Sequence, residues 1–490
     1  MGEPPASFRR FDSQWVAGPD RGVGPAALRR RKRGPGLLCP VLLVLLAAGC
    51  GSSETARDPE RPIVIEYWHQ PMVSTVPGLD AVREPGDFER LLADEFEDSH
   101  PGIEVRTQCL NWEDLPRKVP ISVLGGRPPD VLMDFVGRTS GFWYQGVLEP
   151  LDELIEDDRD DFQPSILAEF ELPDRAGDLR LHAVPLCGWV QVLAINRAAW
   201  DVRDLGDLLP SREDPRWKSF AQFERALEAV ARPDECWPLG MQVASEQGDY
   251  CVLQFFWAFG AEVYHDRDYS RVAINSPQGI AALEWLVKAK QRGWIQPNVA
   301  TAGNSLYDMF WRGDIVCLPA GVTMRRTYEA ALAEDKVVAD FDDDGEVDFD
   351  IMFTLPPSRP GVPVSLPYGS NGLVVFRQDD PARRNAIFKF VRFMTRSKVI
   401  GMYSRASNFL PARKSVGNVF AGQPDVDRVS QLAAACRTAD MGTGSPYYYD
   451  LRKRLPPYLQ AAFLGLKTPA EALAGFERES QLVLGEARPR

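Results

Sequence analysis

The spacing of apolar residues predicts alternating strands and helices in the first third of the chain. Residues 63–68 form a β-branched and aromatic run bounded by prolines, which is typical of a buried strand. Residues 87–98 carry apolar side chains at helical spacing, and the Pro-Gly pair that follows them ends a helix. Strand character returns at residues 103–107 and 129–134. This order predicts an α/β layer built on a parallel sheet.

The middle and the end of the chain continue the alternation with longer helices. Residues 217–231 have helical spacing, and residues 276–293 add a serine cap, a proline in the first turn and a glycine beyond the end. The other predicted elements are strands at 315–318, 349–353 and 372–376, a helix at 382–395 and a capping box at 468–471. We therefore predict an α/β fold with sheets flanked by helices and no internal repeat.

The N-terminal segment predicts export from the cytoplasm. A basic run at 29–33 precedes an apolar run that is shorter than the ~20 residues of a membrane-spanning helix. Residues 46–50 resemble the lipobox of bacterial lipoproteins, in which the cysteine, here Cys50, is acylated. We assign residues 1–49 to a signal peptide with a long leader and 50–60 to a lipid-anchored tether. A plain secretory signal is the alternative, and translation from Val23 would shorten the leader.

Charge and cysteine usage narrow the class of protein. The 490 residues carry a formal net charge of −13, which argues against nucleic acid as a partner because phosphate binding needs a basic surface. The cysteines beyond Cys50 lie far apart and lack the spacing of metal ligands. We expect free thiols, with a disulfide between Cys236 and Cys251 as the alternative.

Several motifs occur in an order that resembles the extracellular solute-binding proteins of ABC importers, the class that contains the maltose- and glycerol-phosphate-binding proteins. The matching segments are 65–69, 96–105, 126–131, 146–152, 183–185, 192–196, 274–279, 310–314 and 408–414. The resemblance covers the chain from about residue 61 onward. It implies a non-enzymatic protein that captures a sugar, a polyol or a glycerol phosphate and delivers it to the membrane subunits of an ABC transporter.

The resemblance also implies a periplasmic-binding-protein-like clamshell of two α/β lobes with the ligand in the cleft between them. The lobes are placed at 61–187 plus 356–411 for the N-terminal lobe and 188–355 plus 412–490 for the C-terminal lobe. The chain is expected to cross between them near 186–188, 355–357 and 410–413. Closure about these crossings is a hinge motion that buries the ligand. We expect a monomer without a cofactor.

Sugar sites combine aromatic side chains with a few fixed polar groups, because sugar faces are apolar between their hydroxyls. Trp68 and His69 come directly after the first strand, where a parallel sheet opens its crevice. Trp112 lies in the turn after the second strand, and Asp134 ends the next one, where a carboxylate can accept hydroxyl groups. The alternatives are a core tryptophan at Trp68, a surface histidine at His69, a helix staple at Trp112 and a helix cap at Asp134 through Arg138 and Thr139.

Further candidates lie in the second half of the proposed cleft. Trp189 follows the first crossing, where the resemblance implies a ligand-facing residue, and Tyr250 begins a helix that otherwise packs. Thr323 occupies a position at which the family often has tryptophan. Tyr368, Gly369, Ser370 and Asn371 form a glycine-rich turn before a predicted strand. Similar turns in the family contact the ligand, although a tight turn alone would explain the glycines.

Two charged motifs have more than one interpretation. Arg325 and Arg326 could hold a phosphate, because arginine forks match phosphate oxygens, or they could form a solvated helix start. The acidic loop, residues 340–351, has the spacing of the first nine positions of a calcium loop, at Asp340, Asp342, Asp344 and Asp348. Ile351 stands in place of the final glutamate. An acidic hairpin turn is the default, and calcium is the alternative.

Two other functions compete with solute delivery. A surface-anchored carbohydrate-active hydrolase is one, because acidic residues and tryptophans also build glycosidase sites. The sequence contains no G-x-S-x-G, no H-E-x-x-H and no phosphate loop, so we assign no catalytic residue. A ligand-sensing partner of a membrane receptor is the other. The order of the family motifs favours solute binding over both.

Overall fold

The computed structural model describes residues 62–73, 76, 79–232, 235–265, 268–303 and 305–486. The predicted signal peptide, Cys50 and the tether at 50–60 lie outside these residues. None of the described helices has both the length and the apolar character needed to cross a membrane.

The described elements alternate between strands and helices. In chain order the strands are β1 (Ile63–His69), β2 (Ile103–Cys109), β3 (Val131–Phe135), β4 (Glu171–Pro173), β5 (Leu179–Leu181), β6 (Val184–Asn196), β7 (Tyr264–His265), β8 (Asp268–Val272), β9 (Cys317–Gly321), β10 (Ile351–Thr354), β11 (Ser365–Val375), β12 (Leu410–Pro411) and β13 (Arg437–Ala439). The helices are α1 (Asp87–Ser99), α2 (Leu115–Leu124), α3 (Val136–Tyr144), α4 (Pro164–Leu167), α5 (Ala198–Asp201), α6 (Phe220–Val230), α7 (Asp249–Ala258), α8 (Pro277–Gln291), α9 (Ser305–Trp311), α10 (Met324–Ala333), α11 (Pro381–Met394), α12 (Ser397–Ser407), α13 (Pro424–Ala433), α14 (Tyr448–Phe463) and α15 (Pro469–Glu486). Single 3-10 turns cover Asp152–Leu154, Arg159–Asp161, Gly206–Leu208, Glu246–Gly248 and Lys414–Val416.

The main sheet is mixed rather than purely parallel. Its strands follow the order β10-β6-β11-β3-β1-β2. The pairs β1–β2 and β1–β3 are parallel, as the strand–helix–strand pattern predicts. In contrast, β11 runs antiparallel to both β3 and β6. The predicted parallel layer is therefore correct for the first three strands, whereas the β11 pairings beyond them are antiparallel.

Strand β6 is the longest of the described strands and hydrogen-bonds along its whole length. Its first half pairs with β11 and with the short β12, and its second half pairs with β9 and β10. Val192 and Ala194 pack into one apolar core, whereas Leu193 and Ile195 pack into another. Both faces are therefore buried, which explains the nearly continuous apolar run of this strand.

Two of the predicted crossings adjoin this strand pairing. Residues 186–188 lie inside β6, and Leu410–Pro411 pairs with β6 at Gly188 and Cys187. The third, at 355–357, comes directly after β10. The assignment of 61–187 plus 356–411 and 188–355 plus 412–490 to two lobes stays a prediction.

The structure corrects three predicted strand boundaries. Strand β11 begins at Ser365, so Tyr368–Asn371 lie within a strand instead of in a turn before one. The predicted strands at 315–318 and 349–353 begin about two residues later, as β9 and β10. The glycines at 369 and 372 misled the turn prediction, because close packing against aromatic rings explains them instead.

Local capping signals correctly locate several helix starts. The Ser276 hydroxyl accepts the Gly279 N–H at the start of α8, and the Asp380 carboxylate accepts the Ala382 N–H at the start of α11. The predicted capping box is formed by Thr468 and Glu471, whose side chains accept each other's backbone N–H groups at 3.2 and 2.9 Å.

The cysteine thiols are free, in agreement with the sequence interpretation. No disulfide joins any of the described cysteines, which are Cys109, Cys187, Cys236, Cys251, Cys317 and Cys436. Burial raises the pKa of Cys187, Cys236 and Cys251 to about 12. These three thiols are therefore protonated and unreactive at neutral pH.

A buried polar pair lies between β1 and α1. Glu89 and His69 are both fully buried, and His69 Nδ1 lies 3.8 Å from Glu89 Oε2. The Tyr403 hydroxyl donates a hydrogen bond to Glu89 Oε1. Burial raises the pKa of Glu89 to about 7 and lowers the pKa of His69 to about 4. Between these two values both side chains are neutral in the folded protein.

We expect Glu89→Gln to gain stability over the wild type as the pH rises. The carboxyl ionises near 4.5 when unfolded but keeps its proton to about 7 when folded. The protonated carboxyl therefore stabilises the wild type fully below about pH 4.5, and this contribution is lost as the pH rises to about 7. The free energy of unfolding of the wild type falls by roughly 3 kcal/mol relative to Glu89→Gln over this range. Urea unfolding from about pH 4 to about pH 8 measures this difference. A constant difference between the two proteins over that range would contradict it.

Candidate functional site

Four aromatic side chains from different parts of the chain meet at one place. Phe135 ends β3, Trp189 lies on β6, Tyr250 is in α7 and Tyr448 begins α14. The Trp189 and Tyr250 ring centroids are 4.9 Å apart, and Phe135 lies within 6.4 Å of each of the other three. The Tyr250 and Tyr448 hydroxyls are 3.3 Å apart. We call these four residues the aromatic cluster.

Two glycines make room for the cluster. Gly369 on β11 stands opposite Trp189 in the register, and a Cβ atom at 369 would lie 2.4 Å from the Trp189 ring. Likewise, a Cβ atom at Gly137 would lie 2.2 Å from the Tyr448 ring. No real Cβ contact is that short, so the rings lie directly against the backbone at these two positions.

Two buried ion pairs support the cluster. Arg452 binds both oxygens of Asp249, with 2.9 Å between Nη2 and Oδ1, and its guanidinium lies 4.6 Å from the Tyr250 ring centroid. Arg138 binds Asp134, with Nε 2.9 Å from each carboxylate oxygen. The Arg138 guanidinium also lies 5.9 Å from the Phe135 ring. Each arginine is neutralised by its own carboxylate, which is the arrangement a buried charge requires.

The tyrosine hydroxyls of the cluster stay protonated. Burial raises the pKa of Tyr250 to about 12, despite the nearby Arg452. Burial also raises the pKa of Tyr448 well above its ordinary value. Each hydroxyl can therefore both donate and accept a hydrogen bond at neutral pH.

Asp134, a predicted ligand residue, has its carboxylate engaged by protein groups. It accepts hydrogen bonds from the Gln70 amide, from the Phe135 N–H at 2.6 Å and from Arg138. It is 1% exposed. The Arg138 contact of the helix-cap alternative is therefore present, whereas the Thr139 hydroxyl donates to the Val136 carbonyl instead of contacting Asp134. Ligand contact by Asp134 itself stays a prediction.

His69 lies in the core beside Glu89, and ligand contact by His69 stays a prediction. Along β1 the side chains of Ile65, Tyr67 and His69 point to the buried face, whereas Trp68 points to the other face and is partly buried. His69 packs on the Tyr67 ring and beside Glu89, not in the aromatic cluster. It is also fully buried, so the alternative of a surface histidine is wrong.

The remaining predicted residues lie in several places. The Asn371 backbone pairs with Phe135, and Ser370 is fully buried. The Tyr368 hydroxyl lies over Gly188, where a Cβ atom would be 2.2 Å away. Thr323 directly precedes α10, just after Gly321, which pairs with Gln191 two residues beyond Trp189. Trp112 is 45% exposed in the loop between β2 and α2. Ligand contact by any of these stays a prediction.

Sequence reasoning missed part of the cluster and one of the two ion pairs that support it. Phe135, Asp249 and Arg452 were not candidates, and Tyr448 was only one of three consecutive tyrosines. Two signals were available: Asp249 directly precedes the candidate Tyr250, and Arg452 follows Tyr448 by four residues, which places both on one helix face. The pairing of Asp249 with Arg452 joins residues far apart in the chain, which no local pattern reveals.

The acidic loop brings three of its four candidate residues together. Carboxylate oxygens of Asp340, Asp342 and Asp348 lie within 4.8 Å of one another. Asp344 is outside this group, and its carboxylate accepts the Glu346 N–H at 2.8 Å. Asp340 accepts the Gly345 N–H at 3.0 Å, which stabilises the turn. Calcium binding here stays a prediction.

Comparison with known proteins identifies related chains over most of this length. Residues 82–400 match a family model described as bacterial extracellular solute-binding protein. The binding protein BAB2_0491 of Brucella abortus strain 2308 is 20% identical over 459 residues, covering 93% of this chain and 99% of that protein.

Two solved structures have the same fold. An ABC transporter solute-binding protein from Thermotoga lettingae, bound with α-D-tagatose, aligns with a TM-score of 0.69 and 19% identity over 86% of this chain and 100% of its own. UgpB from Mycobacterium tuberculosis, in complex with glycerophosphocholine, aligns with a TM-score of 0.66 and 20% identity over 87% of this chain and 98% of its own. The likeness confirms the predicted α/β fold of the two-lobed, periplasmic-binding-protein-like class.

We expect Gly369→Ala to destabilise the protein by about 1–3 kcal/mol, because the new methyl group overlaps the Trp189 and Phe135 rings. The matched control is Gly141→Ala in α3, where a Cβ atom meets nothing within 4 Å. The control should be more stable than the wild type by roughly 0.5–1 kcal/mol, since alanine favours helices. Urea denaturation of the three proteins measures both changes. Equal stability of Gly369→Ala and the wild type would contradict the packing described here.

Proposed function

The chain belongs to the bacterial extracellular solute-binding proteins, and we propose that it captures a sugar or related polyol at the aromatic cluster and delivers it to the membrane subunits of an ABC transporter. Members of this family bind solutes and do not transform them, which removes the hydrolase hypothesis. The identity of the solute is part of the proposal.

The observation that carries the proposal is the composition of the cluster. Phe135, Trp189, Tyr250 and Tyr448 supply flat apolar surfaces of the kind that stack on sugar rings. Tyrosine hydroxyls and buried guanidinium groups lie among them and supply fixed hydrogen-bond donors. Apolar walls with a small number of oriented polar groups are the usual composition of a small-molecule site.

Charge favours an uncharged solute over a glycerol phosphate. Asp249 neutralises Arg452, and Asp134 neutralises Arg138. These two pairs leave no net positive charge of their own to offset the desolvation of a phosphate beside the rings. The related structures include one bound with a neutral sugar, tagatose, and one in complex with glycerophosphocholine. The paired arginines support the former type of ligand.

We propose that the arrangement described here is the closed one. Under the predicted lobe assignment, Phe135 and Tyr144 belong to one lobe and Tyr250, Tyr448 and Gly444 to the other. The Tyr144 hydroxyl donates a hydrogen bond to the Gly444 carbonyl at 3.2 Å, and Phe135 contacts both cluster tyrosines. Opening about the crossings at β6 would separate these contacts and admit the ligand.

The family places the protein outside the cytoplasm. We propose that acylated Cys50 anchors it to the cell membrane and that it acts as a monomer. Attachment near the membrane raises the local concentration of the loaded protein around its transporter. The sequence of the N-terminal segment supports this part of the proposal.

We expect the wild type to bind at least one uncharged sugar or polyol saturably and Trp189→Ala to bind it at least about tenfold more weakly, because a stacking surface is lost. Calorimetry after a thermal-shift screen of monosaccharides, oligosaccharides, polyols and glycerol phosphates measures this. Recovery of the ligand unchanged after incubation is also expected.

Tyr458→Ala is the matched control, because it removes an aromatic ring from the same helix as Tyr448 but from a contact with Phe476 on α15. It should bind like the wild type. Equal weakening in both variants would mean a general loss of folding, and full affinity in Trp189→Ala would contradict the site. Tight binding of a glycerol phosphate alone, lost in Trp189→Ala, would contradict the charge argument.

Anchoring is tested by Cys50→Ser in a bacterial host. The wild type should sediment with membranes, whereas the variant should be found in the soluble fraction, because a serine hydroxyl is not acylated in place of the thiol. Immunoblotting of both fractions reports the distribution. The same distribution for the two proteins would contradict lipid attachment at this residue.

A further inference from the structure

A cavity of about 810 Å³ lies apart from the aromatic cluster. It is formed by the start of α10, the start of α13 and the loop that precedes α6. Its charged lining residues are Arg212, Arg325, Arg428, Glu213, Glu329 and Asp425. We call it the arginine cavity. None of the cluster residues lines it, and no aromatic side chain does, so its chemistry differs from that of a sugar site.

Arg325 and Arg428 both have hydrogen-bond donors without an acceptor among the described residues. Arg325 is 20% exposed and binds Asp425 through Nη2, but its Nε is buried without a partner among the described residues. Arg428 is partly buried and donates from Nε to the Glu213 carbonyl at 2.7 Å. It forms no salt bridge with any carboxylate of the described chain. A buried donor without an acceptor is costly, so an acceptor is expected there.

The carboxylates that line the arginine cavity differ in how far they neutralise the positive charge of its three arginines. Asp425 is held by Arg325, and Glu329 is held by Arg326, which lies outside the lining. Arg212 is held by Asp350. Glu213 is exposed, so solvent and salt screen its charge, whereas the partly buried Arg428 is screened less. The Asp214 carboxylate, whose pKa is lowered mainly by Arg216, is also acted on by Arg428. Arg428 therefore has no salt bridge of its own among the described residues, and the donor that lacks an acceptor is the Arg325 Nε.

We propose that the arginine cavity is a second ligand site, which binds a small molecule through an oxyanion group, phosphate or carboxylate, held by Arg325 and Arg428. Guanidinium forks match the geometry of both groups. The cavity volume of about 810 Å³ leaves room beside the oxyanion for an organic part of the ligand. The site is independent of the proposed sugar site, whose arginines are already neutralised.

The test is calorimetry at low salt with inorganic phosphate and citrate as probes. The wild type should bind at least one probe saturably at millimolar concentration, with an affinity that falls as salt is added. Arg428→Gln and Arg325→Lys should each weaken binding at least about tenfold, since each removes a charge-assisted hydrogen bond. Arg325→Lys keeps the charge that Asp425 needs but loses the fork. Unchanged melting temperatures without a probe show that the variants fold.

Further variants show whether probe binding is specific to this cavity. Arg437→Gln, at an exposed arginine that pairs with Glu262, should bind the probes like the wild type. Glu213→Gln should bind at least as tightly as the wild type, because it removes a repelling charge. Trp189→Ala should keep probe binding, and Arg428→Gln should keep sugar binding, so failure of one proposal is distinguishable from failure of the other.

Four results would each overturn the proposal, and the first three concern the wild type and the arginine variants. These are no saturable binding of either probe by the wild type, equal probe affinity in the wild type, Arg428→Gln and Arg325→Lys, or equal weakening by Arg437→Gln. Weaker binding by Glu213→Gln would also overturn it, because the carboxylate would then assist binding.

Discussion

The structure depends on the hydrogen bonding of one long strand, β6, to partners along both of its halves. Its first half is held by β11 and β12, and its second half by β9 and β10. Both of its faces are buried, so neither half can shift its register without exposing apolar side chains. Trp189 lies where the two halves meet. The position of the aromatic cluster is therefore set by the sheet and not by a loop.

The cluster shows how a polar-lined site can be built inside an apolar region. Rings from β3, β6, α7 and α14 pack directly against glycine backbone, which removes the space that side chains at 137 and 369 would occupy. Two arginines lie beside the rings, and each has its own aspartate. The buried pairs keep the guanidinium groups oriented, and the charges within each pair cancel. This arrangement is the basis for proposing a polyhydroxylated, uncharged solute.

The arginines of this protein act differently according to their partners. Arg138 and Arg452 are neutralised by carboxylates and serve to position aromatic rings. Arg428 donates to a carbonyl, and Arg325 keeps a buried Nε without a partner among the described residues, so both retain capacity for an external anion. The sequence interpretation of Arg325 as a phosphate ligand thus concerns the arginine cavity and not the aromatic cluster that contains Trp189. Residue type alone does not separate these roles, because the partner decides them.

The sequence by itself determined the fold class, the order of most elements, the family and several helix starts. These depend on local periodicity, on capping within four residues and on motifs that adjoin in the chain, as at Ser276, Asp380 and Thr468. It also placed Trp189 and Tyr250 among the candidate binding residues. Only the tertiary structure decided that His69 faces Glu89 in the core, that Tyr368–Asn371 lie within a strand, and that Asp249 pairs with Arg452. These outcomes depend on which distant segments become neighbours, and contacts between distant segments leave no periodic signal in a single chain.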